Sequence, residues 1–127
     1  MKNLTLIIPA KHEGEALPKV LEEIKNYDCK TIVVLENSDI ETIHATKNYN
    51  LELVYQSGQG YGDALIEGIN HVKTDYLCIF NADGSFDPKY LQEMLDACKD
   101  NLDFVFASKI WRYLLSKYSE YRKKRPN

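Results

Sequence analysis

Short continuous apolar runs alternate along this chain with stretches whose apolar residues recur every three or four positions. Leu4–Pro9, Thr31–Leu35, Leu51–Tyr55 and Tyr76–Phe80 are such runs, rich in β-branched and aromatic residues, the pattern of strands buried on both faces. Between them, Gly14–Ile24 carries Leu17, Val20, Leu21 and Ile24 at helical spacing, and Tyr61–Val72 carries Leu65, Ile66, Ile69 and Val72 on one predicted face. The pattern also predicts a weaker helix near Ile40–Asn48, a helix opened by proline over Pro88–Cys98, and a fifth strand over Phe104–Ala107. Strands alternating with amphipathic helices predict an α/β domain, a parallel-centred sheet with helices on both faces. No internal repeat or low-complexity segment interrupts the alternation.

Parallel sheets of this kind bind ligands outside the carboxyl ends of their strands. That rule selects Pro9, Ala10, His12 and Glu13 after the first strand, and Glu36, Asn37, Ser38 and Asp39 after the second. Gly58, Gln59, Gly60, Tyr61 and Gly62 follow the third strand; Asn81, Asp83 and Asp87 follow the fourth. Each group alone is ordinary loop chemistry. Four groups at one rim predict a pocket.

The fourth group carries the most chemistry. An apolar strand that stops at Asn81, Asp83 and Asp87 can present oxygen ligands to a hard cation, Mg²⁺ or Mn²⁺, with coordination sites left for substrate phosphates. The plainer role for Asp83 and Asp87 is to cap a turn and the adjoining helix. The glycines of Gly58–Gly62 do not have the spacing or position of a dinucleotide fingerprint, and no Gly-Lys-Ser/Thr phosphate loop occurs. What they offer is close backbone approach at a helix start, where an anion is favoured. His12, His44 and His71 are too dispersed for a metal triad, and only His12 falls at the rim.

Composition narrows the class. With 127 residues, 44% hydrophobic and 28% charged, the chain has the balance of one soluble globular domain. No run of about 18 apolar residues encodes a membrane span, and Met1–Ala10 has no cleavage pattern, so it reads as a strand and not a leader. Cys29, Cys78 and Cys98 are odd in number and scattered, which fits reduced thiols in a cytoplasmic protein. Charge is uneven: the stretch beyond Ser108 has seven basic residues and one acidic, or +6, leaving −9 on residues 1–108 of a chain whose net charge is −3. Trp111, Tyr113, Leu114, Leu115, Tyr118 and Tyr121 interleave with those basic residues, a composition suited to peripheral contact with an anionic bilayer surface, although a frayed, solvated terminus is the plainer reading.

Three segments together resemble glycosyltransferase family 2: Ile7-Ile8-Pro9-Ala10-Lys11-His12-Glu13, Gly58-Gln59-Gly60-Tyr61-Gly62-Asp63-Ala64 and Phe80-Asn81-Ala82-Asp83-Gly84-Ser85. They lie in the family's order and spacing, and within it the chain is most similar to the dolichyl-phosphate mannosyltransferase-like branch. The resemblance implies a GT-A fold with a Rossmann-like nucleotide-binding half. It also implies transfer of a sugar from a nucleotide-diphosphate sugar (GDP- or UDP-linked) to an acceptor, here a polyprenyl phosphate. Mg²⁺ or Mn²⁺ is the implied cofactor, and no nucleic acid is an expected partner. Residue by residue, Pro9, Ala10 and Glu13 match positions that line the base and ribose end of the donor. Glu36 matches the second of two aspartates that contact base or ribose; Leu35 stands at the first and cannot make that contact. Gly58 and Gly60 match the loop beside the nucleotide, with Gln59 in place of the usual lysine. Asn81 and Asp83 match an Asp-x-Asp pair, so that Asp83 becomes the metal carboxylate and Asn81 a neutral substitute.

The resemblance fades at Ser108-Lys109, which divides the chain into a nucleotide-sugar-binding domain over residues 1–108 and a basic aromatic tail over 109–127. On this reading the acceptor half of the family is missing, and no catalytic residue is assigned. A catalytically inactive nucleotide-sugar-binding domain, or a partner subunit in a complex, is the alternative. A receiver-like signalling domain is the third class; it needs an acidic pair after the first strand and a lysine after the last, which Glu13 and Lys109 match poorly.

Overall fold

The computed structural model describes residues 1–99, and the strand expected at Phe104–Ala107 and the basic aromatic tail lie outside them. Residues 1–84 form one compact unit; the residues from Ser85 onward belong to a second.

The first unit holds β1 (Leu4–Pro9), α1 (Leu17–Ile24), β2 (Lys30–Leu35), α2 (Ile40–Ala45), β3 (Glu52–Tyr55), α3 (Tyr61–Ile69) and β4 (Tyr76–Ile79). All four strands are parallel, in the order β3-β2-β1-β4. The predicted α/β architecture is therefore correct, and the sequence placed each of these strands to within one residue at either end. β1 is the pivot: Ile7 pairs with Ile32 on one side and Ile79 on the other, and Leu6, Ile7 and Ile8 are fully buried. At the opposite, amino edge, Asn3 and Asp75 exchange hydrogen bonds of 2.8 and 2.9 Å, which aligns the starts of β1 and β4.

The connections fix which face each helix covers. A right-handed crossover is the rule for parallel strands, so two steps outward (β1 to β2 to β3) put α1 and α2 on one face. The return from β3 to β4 puts α3 on the other. Contacts agree: α1 and α2 touch each other, whereas α3 packs on β1, β2 and β3. The tyrosine after α2 adds a tie to α1, with the Tyr49 hydroxyl donating to Glu22 Oε2 at 2.9 Å. α1 buries Leu17, Val20, Leu21 and Ile24, the four positions its periodicity selected. Its start is later than predicted, at Leu17 and not Gly14. Pro18 sits in the first turn, where its missing N–H removes no helical bond that the turn needs.

α3 corrects the predicted apolar face. Ala64 and Gly68 are the buried positions, packed over Ile7, Ile32, Val34 and Val54, while Ile66 and Ile69 are 63% and 42% exposed. The cause is close approach. A Cβ at Gly68 would lie 2.6 Å from Ile7 Cγ2 and 3.0 Å from Val34 Cγ2, so the helix rests on its smallest residues and lifts its large ones off the sheet. The helix also ends at Ile69, and backbone bonds from His71 to Gly68 and from Val72 to Ile69 tighten the exit. Val72 still packs against the core cluster. α2 likewise stops at Ala45, short of the predicted Asn48.

In the second unit, the helix predicted over Pro88–Cys98 is divided into a 3₁₀ turn, Pro88–Tyr90, and α4, Leu91–Lys99, which buries Leu91 and Leu95. Among the described residues, no helix is long and apolar enough to cross a membrane.

The α3 contact makes a prediction about stability. Ala is favoured over Gly in a helix by about 1 kcal/mol, but overpacking against two stiff β-branched side chains costs about 1–3 kcal/mol. Gly68→Ala is expected to lower the urea-unfolding free energy by roughly 1 kcal/mol. A stabilised variant would show that the sheet yields more readily than this packing implies.

Candidate functional site

The parallel sheet puts the four strand ends at one rim. Three backbone bonds carry the pairing a residue past the strands: Ala10 N–H to the Val34 carbonyl at 2.9 Å, Phe80 N–H to Ile7 at 2.8 Å, and Gln56 N–H to Leu35 at 2.9 Å. These fix where each loop leaves the sheet. The chain runs outward from β1 to β3 and returns to β4, so the topological switch point lies between β1 and β4, the place where such sheets open a crevice.

Around that point the expected residues are distributed unequally. Pro9 ends β1 and Ala10 is buried behind it, while Asn81 is half-buried one residue past Phe80. Asp83 is exposed. Glu36, half-buried, follows β2 on the other side of β1. Gly58 and Gly60 follow β3, three strand spacings from β4, or about 14 Å across the rim. The strand order thus puts Pro9, Ala10 and Asn81 at the ends of the two strands that flank the switch point, Glu36 one strand away past β2, and the glycine loop at the β3 end of the rim. Leu35 is fully buried, so the position before Glu36 contributes core and no polar group.

The β1–α1 loop is held by the start of α2. Asp39 caps α2 and also accepts the His12 N–H at 2.8 Å through Oδ2; its side chain is only 8% exposed. Thr42, fully buried, accepts the Glu13 N–H at 3.1 Å. His12 itself adopts φ 55°, the left-handed region that a non-glycine residue seldom enters, and its imidazole is 3.9 Å from Asp39. Asp39 was visible in the sequence as a rim residue, and Thr42 was overlooked. The available signal was an Asp three residues before a Thr at the head of a helix, a capping pattern.

The glycine loop is braced from within. Gly60 has φ 90° and caps α3, a conformation glycine adopts without penalty. Asp63 in the first turn accepts the Gly58 N–H at 3.1 Å, and Gln56 Nε2 donates to the Gly60 carbonyl at 3.2 Å and to Asp63 at 3.4 Å. Asp63 thus braces the loop as well as placing an acidic charge in the first turn of α3. With that carboxylate at the α3 N-terminus and one loop N–H already committed, the loop offers an anion less than its glycines suggest.

Metal chemistry falls to a small donor set. Among the described residues, no three His, Cys, Asp or Glu side chains converge into a ligand cluster. Asp87, in the second unit, caps the 3₁₀ turn by accepting from Lys89 N–H at 3.1 Å, the plainer of its two expected roles. Asp83, exposed, and Asn81, half-buried two residues earlier, are oxygen donors of the type that suits a divalent cation arriving with a diphosphate, since such ions keep few protein ligands. Cys29, Cys78 and Cys98 are not joined in disulfides, and burial pushes the Cys29 thiol up. A shallow groove lined by Pro18, Lys19, Glu22, Glu23 and Tyr49 lies along α1; Lys19, Glu22 and Glu23 are exposed.

Comparison with known proteins adds a family to the fold. Residues 5–125 match the glycosyl transferase family 2 model, and the chain belongs to that family. Proteins of Mycobacterium bovis and Mycobacterium tuberculosis, each named an uncharacterized glycosyltransferase, are 28% identical over 102 residues, which cover 80% of this chain and 46% of theirs. Glycosyltransferase AglJ of Haloferax volcanii is 22% identical over 106 residues, covering 82% of this chain and 35% of its own. The chain therefore spans less than half the length of the curated relatives it matches.

The Asp39 environment predicts a pH dependence. Burial raises the carboxyl pKa, but hydrogen bonds from the His12 N–H and from Thr42, with the nearby His12 imidazole, outweigh it and hold the group below its ordinary value of 3.8. A depressed folded-state pKa contributes stability above the unfolded value, lost as pH falls through the lower folded one. Asp39→Asn is expected to cost about 1–2 kcal/mol near neutral pH. The gap to wild type in urea melts should close as pH drops below 3.8. A gap that stays constant down to about pH 2 would remove Asp39 as the cause.

Proposed function

We propose that this chain binds a nucleotide-diphosphate sugar at the carboxyl rim of its sheet and serves transfer of the sugar to a polyprenyl phosphate. The observation that carries the reading is the switch point between β1 and β4, with Pro9, Ala10 and Asn81 at the ends of those two strands and Glu36 past the neighbouring β2, in a glycosyl transferase family 2 chain. Pro9, Ala10 and Glu13 would line the base and ribose, with Glu36 accepting from base or ribose donors. Gly58 and Gly60 would flank the nucleotide from the β3 side, where the Asp63 carboxylate suits hydroxyls better than phosphates. Asp83, assisted by Asn81, would hold Mg²⁺ or Mn²⁺ together with the diphosphate. When bound, the cation supplies neutralisation of the diphosphate leaving group.

In the transfer, a phosphate oxygen of the acceptor attacks the anomeric carbon. The bond from that carbon to the diphosphate breaks, and the nucleoside diphosphate leaves with the bonding pair. A phosphate acceptor is anionic near neutral pH, so the step needs no strong general base from the protein. The rim residues bind and orient the donor; placing the acceptor oxygen about 3–3.5 Å from the anomeric carbon is a separate task. The basic aromatic residues beyond Ser108 would hold the chain at the cytoplasmic face of an anionic membrane.

A second reading, a nucleotide-sugar-binding subunit without turnover of its own, is favoured by two departures: buried Leu35 where the family presents an aspartate, and neutral Asn81 in the Asp-x-Asp pair. Both readings share the donor site; they differ in whether this chain then transfers the sugar itself. We expect GDP or UDP to bind in calorimetry with Mn²⁺ and more weakly without it, and Asp83→Ala to weaken the Mn²⁺-supported affinity about tenfold to a hundredfold, the size of a lost charge-assisted contact. An unchanged affinity in that variant would remove Asp83 from the cation site. Turnover with polyprenyl phosphate in anionic liposomes separates enzyme from binder. Binding is expected to exceed turnover, and rapid transfer by residues 1–127 alone would overturn the subunit reading.

A further inference from the structure

We propose that Asp39 and Thr42 are positioning residues for donor binding, which clamp the His12–Glu13 backbone and so set where Glu13 stands at the rim. The inference rests on the nucleotide-sugar reading and deepens it.

The clamp joins segments far apart in sequence. Asp39 accepts from the His12 N–H across 27 positions and Thr42 from the Glu13 N–H across 29. Both acceptors are withdrawn from water, with the Asp39 side chain 8% exposed and Thr42 at 0%. A cap needed only for α2 would use the Asp39 bond to the Thr42 N–H, 3.4 Å long. The shorter Asp39 bond goes instead to His12 N–H. His12 has left-handed backbone, which an L-residue leaves unless something holds it there. The loop also lies close on α2: a Cβ at Gly14 would come 2.7 Å from Glu41 Cγ. Two backbone donors, one strained residue and one close approach therefore define a single loop conformation before any ligand arrives. Preorganisation of this kind raises affinity by removing the ordering cost from the binding step.

The test uses UDP and GDP as probes with Mn²⁺, in calorimetry on wild type, Thr42→Val and Thr42→Ser. Valine keeps the volume and removes the acceptor; serine restores it. Thr42→Val is expected to weaken the tighter-binding nucleotide about fivefold to tenfold, the effect of one hydrogen bond, with Thr42→Ser within about twofold of wild type. Without nucleotide, amide exchange at Glu13 should quicken in the valine variant and not in the serine one. If Thr42→Val does not fold, Asp39→Asn gives the same readout, because its single oxygen cannot accept from both His12 and Thr42. A folded Thr42→Val with wild-type affinity would overturn this inference alone. Failure of wild type to bind either nucleotide would overturn it together with the donor-binding reading.

Discussion

Everything at the rim takes its position from the burial of β1 on both faces between β2 and β4. A strand with Leu6, Ile7 and Ile8 all inaccessible cannot slip its register without driving three large side chains to the wrong faces. Ile7 is also where α3 comes closest, through Gly68. The same residue accepts the Phe80 N–H that aims the chain toward Asn81. One strand therefore sets the helix packed on it and the points where the loops after β1 and β4 leave the sheet.

The chemistry that this scaffold presents is acidic and sparing. Carboxylates at Glu13, Glu36 and Asp83 stand in the loops beyond the strand ends and Asp63 in the first turn of α3, while positive groups in these segments are few. Such a rim suits hydroxyls and base donors, and leaves phosphate charge to a cation brought with the ligand. The family's lysine position is Gln59, exposed, and the Gly58 amide is taken by Asp63. On the proposed donor-binding reading, both features would shift recognition from the phosphates toward the nucleoside.

Much of the fold could be read from the sequence because fully buried parallel strands appear as continuous apolar runs. The four described strands needed no tertiary information. The face of α3 did. Periodicity marks where large apolar residues fall, and here the sheet approaches so closely that only Ala64 and Gly68 fit beneath, leaving Ile66 and Ile69 outside. Strand order was equally hidden, since nothing local tells β4 to pair with β1 and not with β3. At the site, motif residues were legible singly, but the bonds that fix them were not. Thr42 looks like an ordinary helix residue until the fold brings the Glu13 amide to its hydroxyl from 29 positions away. The loop brace of Gln56 and Asp63 was missed for a related reason, because side-chain bonds within a turn leave no periodic trace.

The proposed function requires that ligand bind at the carboxyl rim and not elsewhere on the chain. Amide chemical-shift mapping on titration with UDP or GDP plus Mn²⁺ tests it directly. Shifts are expected to concentrate at Ala10–Glu13, Glu36–Asp39, Gly58–Gly62 and Asn81–Asp83, four segments distant in sequence that share one edge of the sheet. Shifts centred on Lys19, Glu22 and Tyr49, the groove on the α1 surface, would contradict it.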